Sequence, residues 1–183
     1  MDKKGLIRKK FFFLRKKNYF EVKDSYFTPI IKLISKIKID RKINVSIYYP
    51  SFYEVNVLKL LDNEFSKNCN FLLPIIEKNN KMQFYKWKKN DILFVNKYGL
   101  LEPKKSRKII PDVALVPILS FDKKKNRIGY GKGYYDKYLN KYRNSNKKIL
   151  TIGVAFSFQK YHKLPVNHKD FKLDFVVTEK GMI

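Results

Sequence analysis

A chain of 183 residues, 44% of them hydrophobic and with 15 Phe and 13 Tyr, is long and apolar enough to bury a substantial core, which excludes an intrinsically disordered chain. No run approaches the roughly eighteen apolar residues of a membrane span. The FFFL run at 11–14 is too short for the core of a secretion leader. One cysteine, Cys69, rules out an internal disulfide and leaves no zinc-type spacing.

The formal charge of +25, from 41 basic against 16 acidic residues, raises the question of an anionic partner. The lysines are scattered along the chain rather than gathered in one segment. The surplus of Lys, Asn, Ile, Phe and Tyr, all encoded by AT-rich codons, points to base composition rather than a dedicated polynucleotide surface. Weak, salt-sensitive attraction to anions follows either way, and a nucleic-acid-binding module stands as the alternative. The expectation is a cytoplasmic monomer without a membrane or a specific nucleic-acid partner, built as a single domain over 1–183.

In chain order, residues 3–18 read as a helix. Ile7, Phe11 and Leu14 form its apolar stripe, and Lys4, Arg8 and Arg15 fall on the adjoining one. That basic row is either a solvated flank or the edge of an anion-holding cleft. Thr28-Pro29 predicts the cap and first turn of a second helix with Ile30, Leu33, Ile34 and Ile37 inward. The run NVSIYYP at 44–50 alternates like a strand, and Asn56 is placed to cap a helix reaching about Lys67. CNFLLP at 69–74 and MQFYKW at 82–87 read as strands, YGLLEP at 98–103 as a turn. PDVALVP at 111–117, apolar between prolines, predicts a strand buried on both faces; LTIGVAF and LDFVVTE repeat that pattern. A helix is expected from about Gly133 to Lys141. Strands interleaved with helices give an α/β fold: a single layered α/β/α domain around a largely parallel or mixed central sheet.

The chain has 7 glycines, and Gly129, Gly131 and Gly133 alternate within RIGYGKGYYDKYL at 127–139. Alternating glycines allow positive φ cheaply and let a ligand approach the backbone. Successive N–H groups then converge on an anion, with a helix N-terminus behind them. Lys132 supplies a point charge for phosphate, and Asp136 lies where a first helical turn holds Mg²⁺ beside it. The pattern is neither GxxxxGK[ST] nor GxGxxG. A plain glycine-rich surface turn is the competing reading.

FDKKKNRIGYGKGYYDKYL at 121–139 resembles the signature of the 5-formyltetrahydrofolate cyclo-ligases, also called methenyltetrahydrofolate synthetases. Further pieces stand in the family's order: Lys4 to Arg8, SIYYPSFYEVNVLKLL at 46–61, MQF at 82, GLLEP at 99, PDVALVPILSFD at 111, LPVNHKD at 164 and LDFVVTE at 173. The resemblance implies an ATP- and Mg²⁺-dependent enzyme closing 5-formyltetrahydrofolate, free or polyglutamylated, to 5,10-methenyltetrahydrofolate with release of ADP and phosphate. A folate-binding protein without turnover is the intermediate alternative. Phosphoryl transfer asks for positioning and charge neutralisation rather than a nucleophile, and His162 and His168 form no triad pattern.

By position, Lys4 and Arg8 resemble the family's N-terminal ATP contacts. Arg127, Ile128, Gly129, Tyr130, Gly131, Lys132, Gly133, Tyr134 and Tyr135 resemble its nucleotide loop, with Lys132 and Arg127 in catalytic roles. Tyr49, Glu54 and Tyr134 resemble substrate contacts, and Asp136 and Asp170 the magnesium positions. Taken alone, Glu54 reads as a surface acid and Asp170 as an ordinary loop aspartate. Tyr130 departs from the arginine often found between these glycines, and VNHKD leaves the choice between His168 and Asp170 open.

Overall fold

The computed structural model of the chain describes residues 2–78, 81–143, 145 and 147–183. Seven strands make its central sheet: β1 is Ile43–Ser46, β2 Cys69–Glu77, β3 Lys81–Lys86, β6 Val113–Pro117, β9 Leu150–Val154, β10 Phe175–Thr178 and β11 Gly181–Met182. They lie side by side in the order β11-β10-β9-β6-β1-β2-β3. The five inner strands run parallel, and β3 and β11 close the two edges antiparallel. Parallel strands need cover on both faces, and β6 shows how one strand supplies it. Val113 and Leu115 enter the apolar cluster under one face, Ala114 and Val116 the cluster under the other.

Three helices complete the layers. Helix α1 spans Lys3–Asn18, α2 Thr28–Ile34 and α3 Tyr134–Arg143. Ile30 and Ile34 of α2 are fully buried on one face of the sheet. Tyr138 and Leu139 of α3 cover the other with Phe84 and Val176. Helix α1 packs Ile7 and Phe11 onto Leu119, Ile128 and Leu164, so it rides over the loops beyond β6 rather than over the sheet. Two two-stranded sheets stand outside: β4 (Leu93–Val95) with β5 (Leu101–Pro103), and β7 (Ser120–Phe121) with β8 (Arg127–Ile128).

The architecture agrees with the expected α/β fold, and the departures are local. Residues 45–48 are all buried, so β1 is a central strand covered on both faces rather than an alternating one. Asn56 does cap, accepting from the Leu58 N–H at 3.2 Å, but it opens two successive 3₁₀ turns, Val57–Asp62 and Glu64–Asn68, in place of one helix. Asn63 caps the second turn and so interrupts the run. Thr28 is already helical because a 3₁₀ turn, Asp24–Phe27, leads straight into α2. YGLLEP holds a turn at Gly99 (φ +73) and then strand β5; the β4–β5 hairpin is legible only once its partner, LFV, is recognised.

Candidate active site

Three of the parallel strands, β1, β2 and β6, deliver their C-terminal ends to one cleft of about 880 Å³. In a doubly covered sheet that end is where connecting loops are free to diverge and hold a ligand. The chain leaves β1 through Tyr48, Tyr49 and the 51–54 turn, and β6 through Pro117 into the β7–β8 hairpin and the glycine loop. Helix α1 closes one side with Lys4 and Arg8, the β4–β5 hairpin another with Tyr98 and Glu102, and residues 167–170 a third. Lys4, Arg8, Tyr49, Glu54, every residue from Arg127 to Asp136, and Asp170 all line this one cleft.

The glycine loop is shaped from both ends. Gly131 and Gly133 take φ of +94° and +68°, as L-residues rarely do, and the Gly133 carbonyl accepts the Lys137 N–H at the start of α3. A Cβ at Gly131 would stand 3.1 Å from Arg8 Cζ, so the missing side chain is what lets the Arg8 guanidinium lie across the loop. Arg8 Nε donates to the Gly129 carbonyl at 3.0 Å. Lys132 is exposed, 5.9 Å from the Tyr98 ring centroid, and no carboxylate pairs with it among the described residues. Tyr98 and Tyr134 share a hydroxyl hydrogen bond of 3.0 Å beside it. The loop thus gathers positive charge without cancelling it.

Behind the loop the cations are matched. Arg127, 7% exposed, donates through one terminal nitrogen to Asp136 Oδ1 at 2.8 Å. Burial draws its pKa down, opposed by Asp136, Tyr135 and Asp170. Its Nε and the Tyr135 hydroxyl are buried without a partner among the described residues. Lys4 Nζ meets Asp170 Oδ2 at 2.6 Å. Asp170 therefore joins the electrostatic frame, while His168 lines the same cleft.

Glu54 is no surface acid. It is 6% exposed, and the chain doubles back to hold it, with Phe52 and Tyr53 at φ of +48° and +63°. Two successive non-glycine residues in the left-handed region cost on the order of 1–3 kcal/mol each, a strain that surrounding structure must impose. The Ser51 N–H and hydroxyl give hydrogen bonds to Glu54 Oε2 at 3.0 and 3.3 Å, and the Tyr130 hydroxyl donates to Oε1 at 3.0 Å. Burial pushes the Glu54 carboxyl above the usual carboxylate range, while Arg15, Ser51 and Tyr130 pull it back.

The two aspartates also answer whether a divalent cation fits. Among the described residues no cluster of three or more His, Cys, Asp or Glu side chains stands ready to hold a metal by itself. Mg²⁺ needs less, since it is commonly held by one or two carboxylates together with substrate phosphates. Hydrogen bonds to Asp136 converge on Oδ1, from Arg127 and the Phe171 N–H, and those to Asp170 on Oδ2, from Lys4 and the Asn167 N–H. One oxygen of each carboxylate is left for a cation that also binds phosphate, so the residues fit.

Comparison with known proteins identifies the family. The sequence profile of the 5-formyltetrahydrofolate cyclo-ligase family matches residues 2–179. The chain belongs to that family. A relative from Schizosaccharomyces pombe, named a probable 5-formyltetrahydrofolate cyclo-ligase, is 33% identical over 145 residues, 71% of each chain. The solution structure of 5,10-methenyltetrahydrofolate synthetase from Aquifex aeolicus superposes with a TM-score of 0.75 at 30% identity, covering 98% of this chain and 91% of that one. A synthetase from Mycoplasma pneumoniae shares the fold, with a TM-score of 0.68 at 23% identity over 96% and 98% of the two chains. The chain is accordingly an enzyme of the cyclo-ligase family.

Some residues of this cyclo-ligase site escape the sequence reading. Arg15 is 1% exposed and lies beneath the cleft instead of on a basic rim. Its signal was spacing: Ile7, Phe11 and Arg15 recur every four residues, and these three are the buried face of α1. Phe52, 6.1 Å from the Tyr130 ring, and Tyr98 form aromatic walls at the mouth. Neither carried a motif of its own.

Proposed function

We propose that this cyclo-ligase converts 5-formyltetrahydrofolate to 5,10-methenyltetrahydrofolate at the expense of ATP, with Mg²⁺, within one domain spanning the chain. The observation that supports this reading most is the convergence of the glycine loop, the α1 cations and the Tyr49–Glu54 turn on one cleft. A triphosphate and a flat, donor-rich heterocycle have complementary binding walls there.

In this reading the loop N–H groups, Lys132, Arg8 and Lys4 hold the phosphates, and Glu54 with Tyr49 holds the pterin. The formyl oxygen attacks the γ-phosphorus and ADP leaves. The folate N10 then adds to the phosphorylated carbon and releases its proton to solvent, and that carbon's C–O bond breaks as phosphate departs. Each step develops charge on phosphoryl oxygens, which Lys132 and Arg127 are placed to offset. Asp136 and Asp170 would hold Mg²⁺, which would supply neutralisation of phosphate charge there. No side chain forms a covalent bond, consistent with the exposed, unpaired state of His162 and His168 among the described residues.

The test is direct. The purified protein with 5-formyltetrahydrofolate, ATP and Mg²⁺ should generate the near-ultraviolet absorbance of the methenyl product and one phosphate per turnover. Binding of the folate without any ATP-dependent absorbance would replace this reading with a folate-binding protein. No binding of either ligand would remove it.

A further inference from the structure

Helix α1 contributes a residue that never reaches the cleft surface. Arg15 is 1% exposed, its guanidinium enclosed beneath the glycine loop. One terminal nitrogen donates to the Tyr130 hydroxyl, the other to the Ile118 carbonyl at 3.4 Å and stands 4.0 Å from Glu54 Oε1. The guanidinium carbon also lies 5.6 Å from the Tyr130 ring centroid. Tyr130 in turn donates to Glu54 Oε1. A tyrosine sitting between two loop glycines is thereby clamped from below by an arginine and directs its own proton to a carboxylate that lines the cleft.

Stability alone does not account for the arrangement. A buried ion pair is often no better for stability than well-packed apolar residues of the same volume. At 4.0 Å the Arg15–Glu54 pair is looser than the contacts of 2.6 and 2.8 Å that Lys4 and Arg127 make, and Arg15 Nε has no partner among the described residues. What the geometry does secure is orientation. Glu54 Oε2 is fixed by the Ser51 N–H and hydroxyl and Oε1 by Tyr130, so the carboxylate plane is set, while Oε1 keeps a further lone pair for a donor in the cleft.

We propose that Arg15 is a positioning residue for substrate: through Tyr130 it locks the Glu54 carboxylate in its receiving orientation and ties it to the nucleotide loop. This rests on the cyclo-ligase reading of the cleft. The chemical target of Glu54 is the N–H-bearing edge of a heterocycle, which a protonated or rotated carboxyl receives poorly. Among the described residues Arg15 is the cation placed against Glu54; the other titratable groups facing it are Tyr130 from the loop, Tyr48 after β1 and Tyr135 of α3. All three are phenols whose ionisation is pushed up by burial, so none replaces the arginine's charge.

The experiment compares the wild type with Arg15→Met and Arg15→Lys. One readout needs no substrate: the Ser51 backbone amide, whose N–H donates to Glu54, is followed by NMR across a pH titration. Arg15→Met should move its midpoint up by a pH unit or more. In parallel, the acid limb of kcat/KM for 5-formyltetrahydrofolate should shift upward and the folate KM at neutral pH should rise roughly tenfold. Should Arg15→Met fail to fold, Arg15→Lys carries the test. It keeps the charge without the planar fork that serves Tyr130 and Ile118 together, and should raise the folate KM severalfold with little change in melting temperature. Coincident Ser51 titrations and pH profiles in wild type and Arg15→Met would overturn the proposal, as would an unchanged folate KM in Arg15→Lys. Failure of the functional reading is distinct, because wild type itself then makes no product while the Ser51 titration still reports on Arg15.

Discussion

Strand β1 has an arginine–carboxylate pair at each end, and the two are built differently. Before the strand, Arg41 meets Asp112 in a two-pronged contact, at 2.7 and 2.8 Å, and Asp112 also accepts the Asn44 N–H at 2.9 Å. That pair faces water, Arg41 being 49% exposed, and it ties the start of β1 to the start of β6. After the strand, Glu54 and Arg15 are buried, stand 4.0 Å apart and communicate through Tyr130. Where a pair only has to hold strands together, it closes directly on itself in a two-pronged contact. At the cleft end the pair is left open, and a tyrosine of the nucleotide loop is inserted between the charges. The open pair costs more to maintain and has capacity left for a ligand.

The severest way to break the cleft end is to fill the loop. Gly131 sits at φ +94° with Arg8 against it, and a β-branched side chain can neither adopt that backbone cheaply nor share the space with the guanidinium. Gly131→Val should abolish nucleotide binding by calorimetry and leave no measurable product. Turnover near wild type would reduce the glycine cluster to a turn.

Glu54→Gln comes next, and it acts on both stability and substrate. Removing one partner of a buried pair leaves Arg15 uncompensated, so denaturant unfolding should show a loss of about 3 kcal/mol. Losing a charge-assisted acceptor should also raise the folate KM by roughly tenfold, with the ATP KM moving much less. A stability loss with an unmoved folate KM would make Glu54 a structural residue only.

How far these features were legible in the sequence depends on the range over which they act. Strand β6 and helix α3 could be read directly, because a proline-bounded apolar run and a glycine-to-helix transition are local signals. The candidate site residues were named from motifs, and the structure lines one cleft with them. What could not be read is partnership. Nothing near position 15 says that its guanidinium meets a tyrosine 115 residues later, and nothing near position 54 says its carboxylate is inside. Both follow from α1 riding over the β7–β8 region instead of the sheet. The 3₁₀ turns after Asn56 and the β4–β5 hairpin were missed for a lesser reason. Asn63 offers a competing cap, and LFV is too short to be recognised without its partner strand.

At Lys132 the effect should fall on turnover and spare stability. With no carboxylate beside it among the described residues, it is available to a phosphate. Lys132→Ala should lower kcat by on the order of a hundredfold, as loss of one preorganised charge does, with the melting temperature nearly unchanged. A pure rise in ATP KM at constant kcat would make Lys132 a binding residue and not one that follows the moving charge.

The smallest effect belongs to the other end of β1. Arg41→Ala removes an exposed partner, whose contribution solvent screens to about 1 kcal/mol or less, and kinetics for both substrates should stay at wild-type values. The pH dependence gives the pair a signature. Partial burial pushes Asp112 up, but Arg41 and the Asn44 N–H outweigh it and hold its pKa below the ordinary 3.8. A carboxyl depressed in the folded state stabilises the protein above its unfolded pKa, and that contribution is lost as pH falls through the folded value. The stability difference between wild type and Arg41→Ala should therefore be complete at neutral pH and fade in acid below about pH 4. Equilibrium unfolding at a series of pH values measures it directly. A difference that persisted unchanged into strong acid would mean that Arg41 acts by packing, and that the two ends of β1 are less alike in chemistry than their residues suggest.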